Sequence, residues 1–258
     1  MSEEVHPRAD QLDEMTSLEL ASVMHEEDAR AVNALAPQLQ NIALAVDAIA
    51  ERLRTGGRMH YFGAGTSGLI AAMDAFECPP TFGVDLVRAH VVTEPGQEDE
   101  RELGVRKARE AALSPADVAV GISASGRTAF VLGALAQAAE DGALRVAVAC
   151  RSESQAGRLA DIAIEVETGP EVIAGSTRLK AGTAQKLVLN MLSTGVFTRL
   201  GRTHRGRMVG VVPGNAKLRE RAARIIADLA GVSIEEARRR LSESGGDVGA
   251  ALAVERRA

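Results

Sequence analysis

Aromatic residues are scarce in this sequence: five phenylalanines, one tyrosine and no tryptophan among 258 residues. That leaves almost no material for the platforms on which single-stranded nucleic acids stack, or for the aromatic shelves of polysaccharide sites. A basic excess is missing too. Lys and Arg total 30 against 35 Asp and Glu, a formal net charge of -5, which argues against a dedicated nucleic-acid binder. Two cysteines, Cys78 and Cys150, cannot build a disulfide framework. Neither they nor the scattered His6, His25, His60, His90 and His204 show zinc-ligand spacing. No apolar run reaches the ~18 residues of a membrane span. Met1 to Asp10 is polar where a signal peptide needs an apolar centre. The expectation is a cytoplasmic protein with no metal, no nucleic acid and no membrane partner.

What remains is an ordinary globular composition, 46% hydrophobic and 25% charged, on a chain long enough for a full core. Residues 1–15 are acidic and aperiodic and read as a mobile arm. Thr16 and Glu19 have capping-box spacing. Two helices are expected between Leu18 and Leu53, broken near Pro37, with apolar Leu35, Leu39, Ile42, Val46, Ile49 and Leu53 spaced alternately by four and three. Short apolar runs at 59–62, 86–92, 118–122, 144–149 and 161–166 read as buried strands. They alternate with helical stretches that run to Phe76, over 99–113, to Glu140, over 180–200 and over 215–229. Pro79-Pro80 is expected to stop the first of these. The pattern predicts an α/β fold: a doubly wound parallel sheet sandwiched by helices, with ligands at the C-terminal ends of its strands. An N-terminal helical segment (1–55) precedes this domain (56–230). Helices at 233–244 and Val248–Val254, separated by Gly245-Gly246-Asp247, suggest a small helical appendage (231–258).

Gly63, Gly65 and Gly68 fit the Gly-x-Gly-x-x-Gly dinucleotide fingerprint, but any tight strand-to-helix turn favours glycine. The acid expected to hold a ribose, Glu94, also stands too far along the chain. Two turns taken together say more. Thr66 and Ser67 in one, and Ser123, Ser125 and Thr128 in the other, follow strands and open helices. Hydroxyls beside free helix N-terminal amides suit a small anion such as a sugar phosphate; plain N-capping is the simpler alternative. Ser176, Thr177 and Lys180 could add an anion clamp before the next long helix. Glu77, expected at a helix C-terminus, would have a raised pKa and suit a general acid. Glu98, in an acidic cluster at a helix start, would stay ionised and suit a base. Asp74 reads as a cap partner one turn before Glu77, and Cys78 as an inert neighbour.

Several stretches resemble the N-acetylmuramic acid 6-phosphate etherases, members of the sugar isomerase (SIS) superfamily. They are Gly63-Ala64-Gly65-Thr66-Ser67-Gly68, Glu77-Cys78-Pro79-Pro80-Thr81-Phe82-Gly83, Gly121 to Thr128, and above all Gly175 to Gly195. The resemblance covers roughly residues 16–246. It implies an SIS-type fold and cleavage of the D-lactyl ether of N-acetylmuramate 6-phosphate by elimination and hydration, without cofactor. It implies Glu77 as the acid and, through Gly96-Gln97-Glu98-Asp99, Glu98 as the base. The phosphate and sugar would lie on Thr66, Ser67, Ser123, Ser125 and Thr128, with Ser176, Thr177 and Lys180 nearby, and the protein would be a homodimer. A non-catalytic sugar-phosphate sensor and an aldose–ketose isomerase are the alternatives. Three departures mark a shortened, divergent member. Leu69 stands where the family usually has arginine, the chain is shorter between Val92 and Gly96, and the C-terminus is reduced.

Overall fold

The computed structural model describes residues 4–253. It divides into two compact units, one made of the chain up to Asp74 with Leu86–Ser193, the other of Ala75–Asp85 with the chain from Thr194 onward.

The first unit is built on five parallel strands: β1 (Met59–Ala64), β2 (Val87–Val92), β3 (Val118–Ser123), β4 (Leu144–Ala149) and β5 (Ile162–Glu165). All five expected strand runs are present. Every residue of β3 is buried, as a strand covered on both faces requires. The covering helices are α1 (Ser17–Asn33), α2 (Leu39–Arg54), the start of α3 (Gly65–Phe82), α4 (Arg101–Ala111), α5 (Ala129–Glu140), the short α6 (Gln155–Leu159) and the start of α7 (Lys180–Arg199). The Thr16–Glu19 capping box forms in full. Strand order is β2-β1-β3-β4-β5. The chain steps outward from β1 to β2, then returns to the other side of β1, so the order reverses between β1 and β3. Their C-terminal ends flank the crevice where such sheets bind ligands.

The second unit holds the end of α3, the end of α7, a two-stranded hairpin β6 (Thr203–His204) and β7 (Arg207–Met208), and helices α8 (Ala216–Ala230), α9 (Ile234–Glu243) and α10 (Val248–Ala253). Val254, the last residue of the helix expected there, lies outside the described residues. A compact apolar cluster joins Val211, Ala222, Ile226, Ala237, Leu241 and Val248. Phe82 and Phe197 pack with their rings tilted by 33° and 4.9 Å between ring centroids.

Three local expectations are corrected. Residues from His6 onward are not a mobile arm: Ala9–Glu14 forms a 3-10 turn, and His6 is buried with Nε2 3.3 Å from Glu27 Oε1. Residues 1–3 of that arm lie outside the described residues. Pro79-Pro80 does not stop α3, which runs on to Phe82. Both prolines sit in its last turn, and the helix closes beyond them where Gly83, at φ +66°, donates its N–H to the Pro79 carbonyl at 2.9 Å. Asp74 is a buried hub, not a cap: it accepts from Tyr61 Oη at 2.8 Å and from Ser193 Oγ at 2.9 Å. The short α6 and the β6–β7 hairpin were not expected.

Candidate active site

Because β1 and β3 are hydrogen-bonded neighbours, with Gly63 opposite Ile122, the turns that follow them open side by side. The first is very tight. α3 begins at Gly65, directly after β1, so Thr66 and Ser67 lie in its first turn, among amides without intrahelical partners. A side chain at Gly63 would place Cβ 2.9 Å from Cα and N of Gly68. The backbone itself fills that space.

The second turn leads from β3 into α5. Ser123 Oγ lies 2.7 Å from Thr128 Oγ1 and 3.4 Å from Ser125 Oγ, and the N–H of Arg127 donates to Ser125 Oγ at 3.2 Å. Ser123 is buried; Ser125 and Thr128 are half-buried. The neighbouring strand extends this edge. β4 pairs with β3 through Ser123 and Ala149, and the N–H of Cys150 donates to the Ala124 carbonyl at 3.0 Å. Arg151 follows directly.

A small cavity lies at this edge, with Ser125, Arg127, Cys150, Arg151, Glu171 and Thr177 in its wall. Of the hydroxyls singled out in the sequence, the structure therefore brings Ser125 and Thr177 to one cavity and ties Ser123 and Thr128 to Ser125. Thr66 belongs nearby. A Cβ on Gly182, in the first turn of α7, would lie 3.6 Å from both Thr66 Cγ2 and the Thr177 carbonyl oxygen. Ser176 is half-buried next to Thr177, and Ser67 is buried in the first turn of α3.

Lys180 is placed differently. Its ammonium is buried against Glu27 Oε2, not turned toward the hydroxyls. Burial alone would raise the pKa of Glu27, but hydrogen bonds from Lys180 and His6 and the charges of Lys180 and Arg30 hold it below the usual carboxylate value. Glu171, not singled out in the sequence, caps α7: its two oxygens accept from the N–H groups of Lys180 and Ala181, each at 2.9 Å. Cys150 is no nucleophile, since burial, with the charge of Glu171, pushes its thiol up to about 12.

Glu77 is exposed and lies inside α3, more than a turn before its end, so the helix-terminus argument for its acidity loses its premise. Glu98 is exposed in the 3-10 turn Gln97–Asp99, just ahead of α4. The two acids fall in different compact units, Glu77 in the second and Glu98 in the first. Arg151, Arg127 and Glu171 escaped the sequence reading because no local spacing announces them; only the strand register and the fold of the 166–181 segment bring them to the cavity.

A five-stranded parallel sheet with hydroxyl-bearing turns at its switch point defines the SIS class. The SIS domain family matches residues 104–195, and the family described as glucokinase regulatory protein, second SIS domain, matches residues 36–120. The phosphoheptose isomerase of Neisseria gonorrhoeae superposes with a TM-score of 0.57 at 19% identity, over 71% of this chain and 100% of that one. Within the class the assignment is narrower. The chain is 45% identical to N-acetylmuramic acid 6-phosphate etherase 2 of Bacillus licheniformis, over 97% of its own length and 88% of that protein. It is also 45% identical to the N-acetylmuramic acid 6-phosphate etherase of Rubrobacter xylanophilus, over 98% and 87%. The chain belongs to the N-acetylmuramic acid 6-phosphate etherase family.

Proposed function

We propose that this protein is a carbon–oxygen lyase that cleaves the D-lactyl ether of N-acetylmuramic acid 6-phosphate, giving N-acetylglucosamine 6-phosphate and D-lactate. The observation that carries this reading is 45% identity over 97% of the chain to an etherase of that name. The paired hydroxyl turns at the sheet edge support it, because they provide donors for a phosphorylated sugar.

In the open-chain aldehyde form of the sugar, the carbonyl acidifies the proton on C2. Glu98 takes that proton, a C2–C3 double bond forms, and the C3–O bond breaks with its electron pair leaving on the lactyl oxygen. Glu77 protonates that oxygen. Water then adds at C3 and a proton returns to C2. Electrons and protons balance without a redox or metal cofactor. Thr66, Ser67, Ser123, Ser125, Thr128, Ser176 and Thr177 hold the phosphate and sugar, while Lys180, paired with Glu27, fixes the start of α7. The protein works in the cytoplasm as a homodimer. Leu69 and Met73, exposed one turn apart on α3, are apolar surface that a second copy would cover.

The match to a glucokinase regulatory protein SIS domain favours a second reading, a sugar-phosphate sensor without turnover. D-lactate release from N-acetylmuramic acid 6-phosphate, measured for the wild type and Glu77→Gln, separates the two. The lyase reading expects release by the wild type and a loss of at least a hundredfold in the variant, the scale of general acid catalysis. Ligand-induced stabilisation without release would establish the sensor.

A further inference from the structure

The cavity at the ends of β3 and β4 carries one feature that the hydroxyl turns do not explain. Arg151 stands just past the end of β4, in the same cavity wall as Ser125. Its side chain lines the cavity, yet its Nε is buried and has no hydrogen-bond partner among the described residues. A buried guanidinium N–H without an acceptor is costly and is ordinarily matched by a ligand or water.

The charges at the cavity sharpen the point. Glu171 contributes a negative charge to its wall, held there by the two amides it caps. Arg127 and Arg151 are the positive charges in the same wall. Lys180, at the start of α7, is committed to Glu27. Without Arg151, Arg127 and Glu171 would cancel, and a dianion would meet a neutral wall. With Arg151 the wall is positive and offers a planar fork of donors beside the hydroxyls of Ser125 and Thr177, geometry that suits phosphate oxygens.

We propose that Arg151 is a phosphate-binding residue of this site and supplies the cation that selects phosphorylated over neutral amino sugars. The assignment rests on the phosphosugar reading given above.

The test is calorimetric titration with N-acetylglucosamine 6-phosphate and with unphosphorylated N-acetylglucosamine, on the wild type, Arg151→Met and Arg151→Lys. The phosphosugar should bind Arg151→Met about ten- to a hundredfold more weakly, the loss of one charge-assisted hydrogen bond, while Arg151→Lys recovers part of the affinity. Wild-type affinity should rise as the phosphate takes its second charge near pH 6, and this pH dependence should flatten in Arg151→Met, which a merely structural residue would not do. A melting temperature for each variant reports its folding. Equal affinity of wild type and Arg151→Met for the phosphosugar overturns the role of Arg151 and leaves the phosphosugar reading intact. An equal loss for the phosphosugar and for unphosphorylated N-acetylglucosamine also overturns it, since the arginine would then not be reading the phosphate. No binding of the phosphosugar by the wild type removes the reading on which the proposal stands, and the proposal with it.

Discussion

The two compact units hold themselves together in opposite ways. In the first, polar groups are taken into the interior and set against one another there: Asp74 between Tyr61 and Ser193, Glu27 between Lys180 and His6, and His60 against His90. In the second, the interior is a small set of alanines and aliphatic residues with the Phe82–Phe197 pair, and the charges stay outside, as in the Glu236–Arg239–Glu243 and Glu220–Arg238 pairs. A buried polar network is unforgiving, because removing one member leaves the others desolvated and unpaired. Exposed ion pairs give little, and salt weakens them further. The unit that carries the hydroxyl turns should therefore be the sensitive one.

The largest effect should come from Glu27→Ala. It leaves the Lys180 ammonium, 3% exposed, without its counter-charge, and should cost about 3–5 kcal/mol. Urea unfolding measures this, and a loss below about 1 kcal/mol would show that Lys180 finds water instead. Next comes Ile226→Ala in the second unit, where a fully buried side chain gives way to a cavity at about 2–4 kcal/mol. If that variant matched or exceeded Glu27→Ala, the contrast between the units would fail.

The smallest effect is a difference in acid response. Burial first, then the charge of His90, lowers the pKa of His60 to about 4, while Nδ1 of His60 lies 3.1 Å from Nε2 of His90. The folded state thus keeps the imidazole neutral, and the unfolded chain takes up the proton first. Stability from this group is complete above its ordinary pKa of 6.5 and is lost as pH falls toward about 4. Glu236 behaves as a carboxylate. Hydrogen bonds from Arg239 and Arg240 lower its pKa to about 2, so its contribution is complete above the ordinary 4.5 and is lost only as pH falls toward about 2. Between pH 6.5 and 4.5 the first unit should weaken while the Glu236 pairs stay intact. Unfolding at pH 7 and pH 5 should show a smaller pH slope in His60→Phe and an unchanged slope in Glu236→Gln. Equal slopes in all three proteins would remove the histidine pair as the cause.

Much of this architecture could be read along the chain, since short-range rules govern it. The run Val118-Ala119-Val120-Gly121-Ile122 is apolar on both faces, which is the mark of a buried parallel strand, and the Thr16–Glu19 spacing fixes the cap of α1 locally. The same holds for the hydroxyl turns, whose residue types and positions are set by the strand-to-helix step. Where partners are distant, local reading failed. His6 looked mobile because Glu27, which holds it, lies on another element, and Lys180 looked like an anion ligand because nothing near it in sequence shows that it is already paired. Pro79-Pro80 looked like a stop because the closing bond at Gly83 lies beyond them. Arg151 was invisible because its meaning comes from register, which a single strand does not display.

The Glu27–Lys180 pair also bears on how the chain is made. The partners are 153 residues apart, so at about 5–20 residues per second the carboxylate leaves the ribosome roughly 8–30 s before the lysine it needs. α1 can form early, but its buried face cannot be completed until α7 has been synthesised. Nascent chains halted before Lys180 should remain open at this position, accessible to protease and chaperone. The final closure of the first unit then falls late in translation, after the whole sheet has emerged.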